Sequence, residues 1–170
     1  MIALFRIDER LIHGQIAIKW AAEAKADRII VANDAAAENE LMKKSLLMAA
    51  PPTVKTIILP VDKAIELLGD PRCGSLRILL LANGPKDACR IAENVDGIPY
   101  INVGNYGRIA AQKDGAPRKA YANNIYCNDE DVVCFRQLLR TGLKCIYQTI
   151  PEEPAVDVTK YFGDGRKEKD

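Results

Sequence analysis

His13 is the only histidine among 170 residues. It lies in the segment Arg6-Ile7-Asp8-Glu9-Arg10-Leu11-Ile12-His13-Gly14-Gln15. An imidazole can act as a nucleophile, and nearby arginines supply the positive charge a phosphoryl group needs. An apolar run from Ile2 to Ile7 leads into the segment, and a helix-like pattern from Ile16 to Ala24 leaves it. The spacing therefore predicts a strand-to-helix turn with His13 at its mouth and Gly14 allowing close backbone approach. Unpaired N–H groups and the partial positive charge of a helix start suit an anion at such a place. A lone histidine in a turn is more often a satisfied structural residue, so residue type alone leaves both roles open.

The elements that must position this turn are legible as alternating short apolar runs and amphipathic segments. Strands are predicted at Ala3–Ile7, Arg28–Ala32, Val54–Leu59, Leu76–Leu81, Tyr100–Val103 and Leu143–Thr149. The unbroken apolar content of Leu76–Leu81 suits a strand covered on both faces, as in a parallel sheet. Asp34 is the expected cap of a helix carrying Met42, Leu46 and Ala49 on one face and ended by Pro51-Pro52. Pro85 opens another helix, with Ala88, Ile91, Ala92 and Val95 as its stripe. Asp62–Gly69 is a shorter one. Asn128 caps a last helix with Val132, Phe135, Leu138 and Leu139 buried and Gly142 as its stop.

This βαβα order predicts an α/β fold, one domain over residues 1–162. Its sheet is open and mostly parallel, with helices on both faces and Tyr121–Cys127 as an added antiparallel strand. Gly104–Lys119 has no clear period and three glycines, and reads as a long functional loop. Residues 163–170 read as a mobile charged tail. In such sheets ligands collect beyond the carboxyl ends of strands. Three segments leave those ends: Asp8–Gly14, Asn33-Asp34 and Gly104–Arg108.

Composition removes several functions. The chain carries 24 basic and 23 acidic residues, a formal charge of +1, which gives no reason to invoke nucleic acid. No stretch approaches the ~20 apolar residues of a membrane span, and no signal-peptide pattern opens the chain. Five cysteines without a C-x-x-C spacing point to free thiols in a reducing cytosol. No ligand cluster predicts a metal. No P-loop and no G-x-G-x-x-G follows a strand, so no cofactor is expected and a phosphoryl group must come from another protein.

The His13 segment closely resembles the opening of enzyme IIB in the mannose–fructose–sorbose family of the bacterial sugar phosphotransferase system. Val31-Ala32-Asn33-Asp34, Ala50-Pro51-Pro52, Ile101-Asn102-Val103-Gly104-Asn105, Asn123-Asn124 and Glu153-Pro154-Ala155-Val156-Asp157 are similar to family stretches in family order. The resemblance runs from about residue 2 to residue 161. It implies that His13 is phosphorylated by a separate enzyme IIA and passes the group to a sugar delivered by membrane enzymes IIC and IID. It implies a cytoplasmic protein peripherally associated with those subunits. Asn33-Asp34, Ile101–Asn105 and Pro154–Asp157 look most like the branch serving N-acetylgalactosamine or galactosamine, with mannose, fructose, sorbose and amino-acid–sugar adducts as the alternatives. The pattern departs from the family at Arg108–Lys119, where Lys113-Asp114-Gly115 and Pro117 are atypical.

Roles follow for the motif. Arg10 is the expected clamp on the phosphate, against the alternative of a surface ion pair with Glu9 or Asp8. The backbone N–H groups of Leu11, Ile12, Gly14 and Gln15 would complete the cradle. Asp8 would repel the anion, so it is expected to orient His13 or organise the loop. Arg6 is a second phosphate-binding candidate or an ion-paired strand residue. Asn33, Asp34, Gly104 and Asn105 are candidate rim contacts. Trp20 reads as core. Two other functions compete: a non-catalytic docking module that keeps the fold, and an unrelated small-molecule domain using the same sheet edge.

Overall fold

The structure, a computed structural model, describes residues 1–163. Beyond Gly163, the tail expected at 163–170 lies outside the described residues. The chain runs β1 (Ile2–Asp8), α1 (Gly14–Glu23), β2 (Arg28–Ala32), α2 (Asp34–Glu38), α3 (Glu40–Ala49), β3 (Lys55–Leu59) and α4 (Val61–Leu68). It continues through β4 (Ile78–Ala82), α5 (Pro85–Asn94), β5 (Ile101–Asn105), α6 (Arg108–Asp114), β6 (Lys119–Ala122) and β7 (Ile125–Cys127). It ends with α7 (Asp129–Arg140), β8 (Cys145–Tyr147), β9 (Val156–Asp157) and α8 (Thr159–Phe162).

Seven strands form one sheet in the order β3-β2-β4-β1-β5-β8-β9. All pairs in it are parallel except β8 with β9. Alternate residues of the central strands feed two cores. Leu4, Ile29, Val31, Leu79 and Leu81 pack on the α1 and α3 side against Ala17, Trp20, Ala21 and Leu46. Phe5, Ile7, Ile30, Leu80 and Val103 pack on the other side against Val61, Ala88, Ile91 and Phe135 of α4, α5 and α7. Both faces of β1 and β4 are thus covered, which explains their near-continuous apolar sequence. The connection from β1 runs toward β2, and the one from β5 runs toward β8. Their adjacent carboxyl ends therefore form the switch point of the sheet.

Three expectations need correction. The helix expected from Asp34 is broken in two, because Asn39 takes an extended conformation and its side chain accepts the Met42 N–H at 2.9 Å, starting a new helix. Asn33, not Asp34, is the N-cap of the first piece. The loop expected over Gly104–Lys119 is largely ordered: β5 runs to Asn105, α6 follows, and β6 pairs antiparallel with β7 in a separate hairpin. By contrast α7 starts on the expected Asn128, with a capping box closed by Asp131.

Candidate functional site

Period two along β1 places Leu4, Arg6 and Asp8 toward α1, and at the strand's end this row turns polar. Asp8 is buried. Its Oδ2 lies 3.1 Å from His13 Nε2 and 3.3 Å from Arg6 Nη2, while Oδ1 accepts the Arg10 backbone N–H at 3.1 Å. The turn closes when Leu11, in the left-handed region at φ 57°, donates its N–H to Asp8 O at 2.9 Å. His13 follows in an extended conformation as the N-cap of α1, and its side chain does not cap the helix. A carboxylate only accepts hydrogen bonds, so its contact with Nε2 puts the ring proton there and leaves the lone pair on Nδ1. Asp8 therefore both orients His13 and organises the loop.

The two arginines have different surroundings. Arg6 is fully buried. Its Nη1 donates to Asn102 Oδ1 and to Gln148 O at 3.0 Å, and its Nη2 donates to Thr149 O at 3.1 Å. The guanidinium lies 4.6 Å above the Trp20 ring centre, and Trp20 Nε1 also donates to Thr149 O, at 3.1 Å. A Cβ on Gly104 would come within 1.9 Å of Arg6 Nη2, so Gly104 is the gap through which Arg6 passes. Burial pushes the Arg6 pKa down to about 10, against the opposing pull of Asp8. Arg6 is thus the counter-charge that holds Asp8, with the ion-paired reading fitting it better than a phosphate clamp. Arg10 is exposed. Among the described residues its guanidinium forms neither of the ion pairs weighed for it: Asp8 takes its backbone instead, and Glu9 is occupied elsewhere.

The expected backbone cradle is reduced. Leu11 and Ile12 bury their side chains, and the Leu11 N–H is taken by the turn. No acceptor among the described residues holds the N–H groups of Ile12, Gly14 and Gln15. Gly14 itself sits at φ 45°, a conformation that favours glycine.

Arg6, Asp8, Arg10 and His13 share an open pocket of about 260 Å³ with Ile16, Gly104 and Asn105. Asn33 and Asp34 are not part of it. Asn33 is buried and accepts the Ala36 N–H at 2.9 Å, and Asp34 accepts the Val61 N–H at 2.8 Å. They are caps two strands away from β1. The pocket also contains residues given no role from sequence: Glu9, Arg108, Ile109, Asn124 and Thr149. Arg108 is held against the Tyr126 ring, 5.0 Å from its centre, and donates to Asn123 O at 2.9 Å. Asn124 Nδ2 donates to Thr149 Oγ1 at 3.2 Å. The antiparallel strand expected over Tyr121–Cys127 is instead interrupted by a turn at Asn123-Asn124, between β6 and β7 of a hairpin outside the main sheet. Among the described residues no group of His, Cys, Asp and Glu is placed to hold a metal ion, and no helix is long and apolar enough to cross a membrane.

An open α/β domain that presents one free imidazole nitrogen, backed by a buried carboxylate at its switch point, is the class defined by this fold and site. The chain belongs to the sorbose-subfamily IIB components of the phosphotransferase system, whose family model matches residues 2–170. It is 35% identical over 161 residues to a probable phosphotransferase enzyme IIB component of Streptococcus pyogenes serotype M6, covering 94% of this chain and 98% of that one. It is 34% identical to the mannose-specific EIIAB component of Escherichia coli K12, covering 91% of this chain but 46% of that longer protein. The IIB domain of the Klebsiella pneumoniae sorbose permease superposes with a TM-score of 0.84 at 27% identity, over 100% of this chain and 98% of that one.

Proposed function

We propose that the protein is a phosphohistidine carrier in which His13 Nδ1 accepts a phosphoryl group from enzyme IIA and delivers it to a sugar. The observation that carries this reading is the 3.1 Å contact of Nε2 with Asp8, which leaves Nδ1 as the nucleophile near Arg10, whose guanidinium has no ion pair among the described residues. Nδ1 attacks the phosphorus of the donor's phosphohistidine, the donor N–P bond breaks, and its electron pair returns to the donor imidazole. In the second step a sugar hydroxyl attacks, the His13 N–P bond breaks, and the hydroxyl proton is released to solvent or Nδ1. Transfer of this kind depends on positioning and on charge stabilisation of the equatorial oxygens. Arg10 supplies that charge, with the free N–H groups of Gly14 and Gln15. The Asp8 charge is balanced by Arg6 and does not face the phosphate unscreened.

The donor is read as a separate IIA chain and the acceptor complex as IIC and IID, which places the protein at the cytoplasmic membrane face. The K. pneumoniae and E. coli relatives are named for sorbose and mannose. A IIB component from Streptococcus pyogenes at TM-score 0.79 and 25% identity is named for N-acetylgalactosamine. We retain an amino sugar as the substrate, on the Ile101–Asn105 and Pro154–Asp157 stretches. Incubation with phosphoenolpyruvate and the upstream phosphotransfer proteins should add one acid-labile phosphoryl group, absent in His13→Ala. A labelled alanine variant would refute the nucleophile, and binding of IIA without labelling would favour a docking module. With membranes carrying the cognate IIC and IID, galactosamine derivatives should react faster than mannose or fructose, and the reverse order would refute the sugar assignment.

A further inference from the structure

Glu9 sits between the residue that holds His13 and the residue that would clamp its phosphate, yet its side chain turns away from both. Its carboxylate instead covers the start of α6. Oε2 accepts Gly107 N–H at 3.0 Å and Oε1 accepts Arg108 N–H at 3.0 Å; Ile109 N–H is 3.1 Å from both oxygens, and Ala110 N–H is 3.3 Å from Oε2. The helix supplies no capping side chain of its own, because its N-cap is Gly107, at φ 106°. A Cβ on Gly107 would lie 1.8 Å from Tyr126 O. The cap must therefore come from elsewhere in the chain, and Glu9 delivers it across a sequence distance of about a hundred residues.

α6 buries none of its residues. Its apolar contact with the core is limited to half-buried residues such as Ala110, so polar ties carry much of its placement. At its first turn these are Glu9 and the Arg108 contacts with Asn123 and Tyr126. From the other side, the Glu9 backbone N–H donates to Asn105 O at 2.9 Å, and the next residue's N–H is held by Asp8. One residue thus fastens the loop bearing Asp8, Arg10 and His13 to the helix bearing Arg108 and Ile109, which form the facing wall of the same pocket. The negative charge of Glu9 is taken up by four N–H groups at a positive helix end, so it can sit beside a phosphorylated histidine without opposing it.

We propose that Glu9 is a positioning residue for phosphoryl transfer, fixing the His13–Arg10 loop and α6 as one body across the pocket. The proposal rests on the phosphocarrier reading for its kinetic consequence and on geometry alone for its mechanical one. Transfer rates fall steeply when reacting groups move by about an ångström. Glu9→Ala should therefore slow labelling of His13 by phosphorylated IIA at saturating donor by roughly tenfold or more. Its KM for the donor should change little, and Glu9→Gln, which keeps one acceptor oxygen, should recover part of the rate.

Hydrogen exchange on the unphosphorylated protein reads the coupling separately. In Glu9→Ala, exchange should accelerate together at Gly107–Ala110 and at the Arg10 and Leu11 amides. Acceleration confined to α6, or a lowered melting temperature with wild-type labelling rates in both variants, would overturn the proposal. If wild-type protein were not labelled, the phosphocarrier reading would fail, and exchange would still decide the coupling.

Discussion

Asp8→Asn is the sharpest perturbation of this site, because it changes charge and hydrogen-bond direction while preserving shape. The wild-type carboxylate accepts from His13 Nε2, Arg6 Nη2 and the Arg10 backbone N–H. An amide cannot accept at both ends. If its oxygen faces Arg10, its NH2 meets the Arg6 guanidinium donor to donor, and His13 Nε2 must become an acceptor. The ring proton then moves to Nδ1, the attacking nitrogen. If the amide is flipped, the NH2 meets the Arg10 N–H, and the loop loses the bond that places the clamp. Either way at least one charge-assisted bond is lost, worth about 1.5–3 kcal/mol, and transfer should slow by roughly ten- to a hundredfold.

Stability should fall as well. A buried charge stripped of its partner is destabilising by about 3–5 kcal/mol. Arg6 keeps its contacts with Asn102, Gln148 O and Thr149 O, so the lower end applies. At about 2–4 °C per kcal/mol for a domain of this size, melting should drop by roughly 6–12 °C. Rapid-quench labelling well below that temperature separates the two effects, and 15N spectra of the imidazole report which nitrogen carries the proton. A labelling rate within about twofold of wild type, or a slowed rate with Nε2 still protonated and Arg10 N–H still protected, would refute the reasoning.

Arg10→Ala should slow transfer by roughly ten- to a hundredfold with melting unchanged, since the exposed guanidinium has no ion-pair partner among the described residues. Arg10→Lys should recover only part of the rate, because an ammonium lacks the planar fork that grips two oxygens. Normal transfer with a clearly lower melting temperature would make Arg10 structural. Burial pushes the Cys89 and Cys145 thiols up to about 12, aided by Glu93 and Asp157 respectively, and pushes Cys127 up further. These thiols stay protonated in the fold above the pH at which the unfolded chain releases them. Stability is therefore whole below about pH 8.5 and lost as pH rises from there toward 12, by up to ~1.4 kcal/mol per pH unit per thiol. Urea unfolding at pH 8 and pH 10 should show the loss, and alanine at Cys89 and Cys145 should flatten it; equal slopes would refute this account.

What the sequence could disclose of this molecule follows the range of its interactions. β1 and β4 were readable because burial on both faces leaves an unbroken apolar run, and α7 because Asn128, three acidic residues and an apolar stripe agree. The break at Asn39 was hidden, since Met42, Leu46 and Ala49 keep helical spacing on its far side. α6 was hidden for a deeper reason: with none of its residues buried, it has no stripe to read. The residue that caps it lies in a different element, and Glu9 in isolation reads as one more loop charge.

The arginines show the same limit at the site. Alternation puts Arg6 on the side of Leu4 and Asp8, but only the placement of Trp20, Asn102 and the Gln148–Thr149 carbonyls makes that side a buried socket. With Arg6 committed there, Arg10 is the cation left without an ion pair among the described residues. Local sequence thus singles out His13, its turn and Arg10 ahead of Arg6, whereas the socket that commits Arg6 is built by residues some 140 positions away. The sequence left Arg6 between a phosphate contact and an ion-paired strand residue, and its burial beside Asp8, against the exposure of Arg10, favours the second.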